Sequence, residues 1–458
     1  MKEAGSAGFH RALGLGDATA LVAGSMIGSG IFLVSAQMTR ELGSAGWLLA
    51  VWSLAGLMTV LAAALYGDLV ARFPRAGGQY VYLREAFGPV VGFLYGWTLF
   101  LVIQTGTIAA VAVAFGRFTA VLLPAMESRE IFGTTAERFV AIMLIALLTA
   151  ANCRGVEVGK RIQNTFTLAK IGALFGVLLL CAIFAGSSDT LAANFAHPWQ
   201  RTATALPLGA AIGSAMVGAL FSSDAWNNIT FAAEEVRTPE RTVPRALVIG
   251  TVLVIAMYLA ANVAYLSVLP ALGSPDAADP IGRGIAYAAR DRVGTAVMEV
   301  LLGRAGVVTM AAAIMVSTFG CANGLILSGA RVSYAMAHDG LFFAGAGRLS
   351  RNGVPVAALV LQGIWAAALT LTGTYGDLLD YVIFAALLFY ALTVAATLMS
   401  RFAAAGGKRV LAIAYIIAAT AVMIDLLIVK PRYTWPGLLI VASGLPVYFA
   451  WRLRRPSL

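Results

Sequence analysis

The chain has 458 residues, of which 60% are apolar and 12% charged, with a mean hydropathy of +0.84. A soluble domain is about half apolar and about a quarter charged, so this composition excludes a water-soluble globule and requires lipid as part of the solvent. The formal net charge of +10 does not mark a nucleic-acid partner, because the basic residues lie in short loops between apolar runs.

Twelve apolar runs are long enough, at about 20 residues each, to cross the hydrocarbon. In chain order they fall near residues 13–38, 46–72, 88–122, 136–153, 160–185, 205–236, 243–269, 300–336, 355–373, 378–400, 409–429 and 434–452. The expected fold class is an all-α membrane protein, one transmembrane domain over residues 1–458, without a soluble domain. The glycine-bearing first run continues into a second span and does not read as a cleaved leader. Pro244 and Pro355 stand at the starts of the seventh and ninth runs, where a missing N–H costs little. Segment 274–292 is too polar to span and is expected as an outer loop with a short surface helix, placed to act as a lid.

Lysine and arginine set the orientation. Lys2 and Arg11 precede the first run. The next segments on that side hold Arg72, Arg75 and Arg84, then Arg154, Lys160 and Arg161, then Arg237, Arg241 and Arg245. Arg331, Arg348 and Arg351 follow, then Arg401, Lys408 and Arg409, then Arg452, Arg454 and Arg455. The excess on this side predicts that both termini are cytoplasmic. Cys153, Cys181 and Cys321 lie in or beside apolar runs at no repeating interval, so they read as small buried hydrophobes. Three histidines and no paired Cys/His spacing leave no metal or cofactor site to expect.

Two runs are interrupted. The first reads Gly24-Ser25-Met26-Ile27-Gly28-Ser29-Gly30 at mid-membrane depth, and each glycine weakens a helix by about 1 kcal/mol relative to alanine. Close packing through small residues is the other reading of these glycines. The sixth run carries Phe221-Ser222-Ser223-Asp224-Ala225-Trp226-Asn227-Asn228, polar groups too costly to face lipid. The breaks are five runs apart, and five is odd, so the second set enters from the opposite side. That is the inverted-repeat pattern, with a midplane site between two discontinuous helices. The repeats are expected near 13–185 and 205–400, with two extra helices near 409–452. A broken helix offers N–H groups to an anion and carbonyls to a cation, both poles of a zwitterion.

These residues resemble a known family. Gly24 to Phe32 resembles the helix-1 signature of the amino acid–polyamine–organocation superfamily, and within it the L-type amino acid transporters. Phe221 to Glu235 is similar to that family's helix 6, and Arg237 to Ala246 to the inner loop that follows it. Asn164 to Lys170 resembles its helix 5, and Ser317 to Gly324 its helix 8. The likeness runs from about Leu13 to Arg351 and weakens beyond. It implies the leucine-transporter-type fold of five plus five helices and exchange of amino acids across a bacterial inner membrane. By the same resemblance the site is expected within Met26, Ile27, Gly28, Ser29, Gly30, Phe221, Ser222 and Asp224. The substrate carboxylate would meet N–H groups at Gly28 to Gly30, and its ammonium the carbonyls of Met26 and Phe221. Phe221 would also gate the site.

Lys170 lies about nine residues inside the fifth run, roughly 13–14 Å along a helix, too deep to reach water easily. Three readings stand: a structural ammonium on backbone carbonyls, a replacement for a bound sodium ion with Ser317 and broken helix 1 as partners, or a proton carrier. The second is what the resemblance implies, and with it sodium independence. Asp224 likewise has three readings: a partner for a cationic substrate side chain, a second grip on the α-ammonium, or an acceptor for the unwound backbone. Gln104, Trp226 and Asn323 are weaker candidates, each as readily a packing residue. Asp68, Glu234 and Glu235 read first as partners of loop arginines. Proton-coupled uptake of an amino acid or polyamine is the alternative transport reading.

An enzyme would show convergent His, Cys or acid pairs in the spans, and a receptor a signalling domain; the sequence offers neither. Animal L-type chains join a heavy chain through a cysteine between helices 3 and 4. Residues 123–137 hold none, so a disulfide-linked heavy chain is not expected.

Overall fold

In the computed structural model the described residues are 9, 11–126, 129–185, 189–202, 206–372, 375–399 and 406–453. Lys2, Arg401, Arg454 and Arg455, used above for orientation, lie outside them. The helices are α1 (Leu15–Met26), α2 (Gly30–Leu42), α3 (Ala45–Arg72), α4 (Gln79–Phe87), α5 (Pro89–Thr98), α6 (Gln104–Leu122), α7 (Ala136–Cys153), α8 (Val156–Ala185) and α9 (Asp189–Ala196). There follow α10 (Leu208–Ser222), α11 (Asn228–Phe231), α12 (Pro239–Val268), α13 (Pro280–Arg283), α14 (Val293–His338), α15 (Val356–Leu369), α16 (Tyr375–Ala396), α17 (Gly406–Val429) and α18 (Pro431–Leu453). Among the described residues, eight helical stretches are long and apolar enough to cross a membrane, and the pair α1–α2, bent by 41°, makes a ninth. Three shorter apolar helices, Leu208–Ser222, Val356–Leu369 and Val382–Ala396, stand where the sixth, ninth and tenth runs were expected. The all-α architecture of about twelve spans is therefore present.

Local chemistry explains the boundaries. Gly43 ends α2 with φ 65°, a left-handed cap that glycine adopts without penalty. The Ser44 hydroxyl then caps α3 by accepting from the Trp47 N–H. The third span is continuous through a π-helical turn, Leu99–Ile103, that joins α5 to α6. In α14, Gly303 at φ 58° separates a short first piece from the long span.

Three features depart from the sequence expectation. The seventh span begins at Pro239, so Pro244 sits inside α12 and not at its start. Residues 123–137 contain a two-stranded hairpin, β1 (Glu130–Ile131) against β2 (Thr134–Thr135), too short for periodicity to reveal. A short helix, α4, whose first five residues are buried, lies between the second and third spans. Segment 274–292, expected as an outer loop, does hold short helical turns at Pro280–Arg283 and Ala289–Asp291. Arg40 pins it by donating to Asp291 at 2.7 Å and to the Ala286 carbonyl at 2.5 Å.

Candidate functional site

Helix 1 is broken where the sequence places the break. Ile27 is extended, with ψ 92°, and α2 restarts at Gly30 after Ser29. A break inside apolar protein leaves carbonyls that must find donors, and side chains supply them. The Gly24 carbonyl accepts from Lys170 Nζ at 2.8 Å, and the Ser25 carbonyl from Cys321 Sγ at 2.9 Å. The Met26 carbonyl accepts from Tyr258 Oη at 3.0 Å. The Ile27 carbonyl accepts from Lys170 Nζ at 2.8 Å, and Ser317 Oγ is shared between it and the Gly28 carbonyl at 3.1 and 3.0 Å. Every carbonyl from Gly24 to Gly28 is thus tied down by α8, α12 or α14. Lys170 and Ser317 are each 1% exposed, so the ammonium has exchanged water for two carbonyl dipoles.

The second break runs from Ser223 to Asn227, between α10 and α11. Ala225 takes φ 64° there, in a region costly for a residue with a Cβ. The Phe221 carbonyl accepts from the Asp224 N–H at 3.1 Å. Tyr258 Oη also reaches the Ser222 carbonyl at 3.1 Å, so one hydroxyl bridges both broken helices. The two breaks touch: a methyl on Gly30 would run into the Ser222 side chain and come within 3.0 Å of its Cα. On the other side of helix 1, a methyl on Gly24 would overlap Thr167 and Gln163 of α8.

Asp224 is buried, and its carboxylate accepts from Tyr390 Oη at 2.6 Å. Next to it, Asn227 Nδ2 donates to Gln79 Oε1 at 2.9 Å, and Gln79 Nε2 donates to Thr393 Oγ1 at 3.0 Å. A small cavity of about 10 Å³, about the room one water needs, lies among Asp224, Asn227, Gln79, Gln104 and Tyr390. Gln104 both lines it and donates to the Leu325 carbonyl at 2.7 Å. The cavity is polar on one wall and closed on the other by Leu99, Ile103 and Phe231.

The weaker candidates resolve as packing or ion-paired residues. Trp226 packs edge-on against Tyr66 with ring centres 4.7 Å apart. Asn323 donates to the Gly159 carbonyl and to Gln163, and accepts from Asn152, knitting α14 to α7 and α8. Asp68 pairs with Lys408 at 2.7 Å. Glu235 pairs with Arg331 at 2.7 Å, and both are buried. Beside that pair, the Leu13 N–H donates to the Glu235 carbonyl and the Arg237 N–H to the Leu13 carbonyl, strapping the chain ahead of α1 across this end of the bundle. Asp339 here takes both Arg84 and the Tyr80 hydroxyl. Burial first, and the Asp339 carboxylate second, hold the Tyr80 hydroxyl well above its ordinary pKa, which keeps it a donor.

The structure brings the helix-1 break against Ser222 through Gly30 and the shared Tyr258, with Lys170 behind it, whereas Asp224 faces Tyr390 and lines a pocket that Met26–Gly30, Phe221 and Ser222 do not line. Sequence reasoning missed Tyr258, Tyr390 and Gln79. The only signal for them was a hydroxyl or amide inside or beside an apolar run.

Comparison with known proteins places these features in context. The amino acid permease family model matches residues 13–446. The b(0,+)-type amino acid transporter 1 of Mus musculus is 28% identical over 448 residues, covering 96% of this chain and 88% of the mouse protein. The large neutral amino acids transporter small subunit 2 of Homo sapiens is 29% identical over 466 residues, covering 98% and 82% respectively. The human Asc-type amino acid transporter 1 is 29% identical over 453 residues, covering 96% and 82%.

Proposed function

This chain belongs to the amino acid permease family, and from that premise we propose that it exchanges neutral L-amino acids, and cationic ones with them, across a bacterial inner membrane without sodium. Both termini lie in the cytoplasm on this reading, in keeping with the basic residues of the loops. The observation that carries it is the Lys170 ammonium on the carbonyls of Gly24 and Ile27. A fixed positive charge already fills the place where a cation would meet the broken helix, so transport needs none from solution.

The α-carboxylate binds at the start of α2, where opening N–H groups lack intrahelical acceptors and the helix dipole is positive. The α-ammonium meets the carbonyls of Met26 and Phe221. The Met26 carbonyl accepts from Tyr258 and can accept a second bond; the Phe221 carbonyl accepts from the Ser223 and Asp224 N–H groups, so there the ammonium replaces one of them. The side chain points toward the cavity, where Asp224 offers a carboxylate to lysine or arginine and Tyr390 holds that carboxylate in place. Phe221, 6% exposed, covers the bound amino acid. The relatives named above include a "small subunit", but residues 123–137 of this chain carry no cysteine, so it works without a disulfide-linked heavy chain.

Asp224→Asn tests the substrate assignment. In proteoliposome exchange, arginine and lysine should lose about 10- to 100-fold, the worth of one hydrogen bond to a charged group. Leucine and alanine should change by less than about three-fold. A parallel fall of cationic and neutral substrates would remove Asp224 from side-chain recognition.

A further inference from the structure

Two adjoining pockets lie at the end of the bundle that carries the Arg331–Glu235 pair, away from the broken helices. The turn after α14 and the last two turns of α18 border an open apolar groove of about 610 Å³, lined by Phe342, Phe343, Ala344, Pro446, Val447 and Trp451 among others. Its aromatic wall is ordered by ring contacts: Phe343 lies 5.2 Å from both Phe342 and Trp451, and each pair meets edge-on. Phe343 is nevertheless 56% exposed.

Trp451 is also a wall of a neighbouring pocket of about 200 Å³, whose other residues include Arg84, Asp339, Tyr448 and Arg452. The two cavities therefore share the Trp451 wall, and the second, largely apolar itself, adds the charged groups Arg84, Asp339 and Arg452. Its charges do not cancel. Arg84 is satisfied by Asp339 and by Glu85 at 2.8 Å, whereas Arg452 has no acidic partner among the described residues. An apolar trough ending in an unneutralised arginine, with a tryptophan at the junction, has the shape of a lipid: acyl chain, interface, anionic head.

We propose that this double pocket binds one anionic phospholipid of the inner leaflet, with an acyl chain along Phe342, Phe343 and Val447 and its phosphate at Arg452. The placement links the lipid to the transport site. Arg84 is on α4, whose first residue, Gln79, donates to Thr393 and accepts from Asn227 beside Asp224. A headgroup at Arg452 steadies the Arg84–Asp339 pair and, through α4, the floor of the cavity.

The test is native mass spectrometry of the purified full chain, offered equimolar phosphatidylglycerol and phosphatidylcholine of the same acyl length. Wild type should retain phosphatidylglycerol preferentially. Arg452→Gln should reduce that preference about five-fold, the worth of one arginine beside an anionic surface, while Arg452→Lys keeps most of it. Trp451→Ala should weaken retention of both lipids. Equal retention of the two lipids by wild type, or an unchanged preference in Arg452→Gln, overturns the proposal. Because the readout is lipid mass on the protein, it stands apart from substrate specificity.

Discussion

Lys170→Ala should cut amino acid exchange by about 100-fold or more while leaving the protein folded. The ammonium holds two carbonyls on either side of the helix-1 break, Gly24 and Ile27, each at 2.8 Å. A hydrogen bond to a charged group is worth about 1.5–3 kcal/mol, and losing both reaches two orders of magnitude. The Ile27 carbonyl would keep Ser317, but the Gly24 carbonyl would be left with no donor from α8. The opening N–H groups of α2 then lose their fixed position, and with it the carboxylate pole of the site. Counterflow of labelled substrate in proteoliposomes measures the loss, and the melting temperature separates it from misfolding. Exchange at more than a third of the wild-type rate would show that the ammonium is not what positions helix 1.

Arg331→Met should destabilise the protein by about 3–5 kcal/mol, because it strands the Glu235 carboxylate without its partner in a dry site. Both side chains are at most 1% exposed, and the pair meets twice, at 2.7 and 3.3 Å. Arg331 also donates to the Leu327 carbonyl and lies 6.0 Å over the Phe9 ring, so its loss loosens the strap ahead of α1. Adding Glu235→Leu removes the stranded charge, and the double variant should recover most of the stability. Equal melting temperatures for wild type and Arg331→Met would contradict this reading of the closed end.

Much of the scaffold can be read from composition and glycine placement. The break at Gly28 to Gly30 and the polar interruption at Asp224 stand out because lipid tolerates neither free backbone nor charge. For the same reason Lys170 announces a partner, and the broken part of helix 1 and Ser317 were the natural candidates. Tyr258 and Tyr390 were not legible. A tyrosine within an apolar run looks like any other packing residue, and Tyr258 finds its carbonyl on a segment 232 residues away. The α4 helix escaped notice because it is short and its face is buried by neighbours, not by lipid. Pro244 misled for a local reason: helix α12 starts earlier at another proline, Pro239, which suits the first turn better.

As proposed, the protein is an amino acid exchanger in which Lys170 stands in place of sodium. Its most direct test is uptake of labelled leucine into proteoliposomes in sodium-free choline buffer, with and without unlabelled leucine inside. The structure predicts full uptake without sodium, dependent on internal amino acid. A requirement for sodium, or equal uptake into liposomes empty of amino acid under a pH gradient, would contradict it.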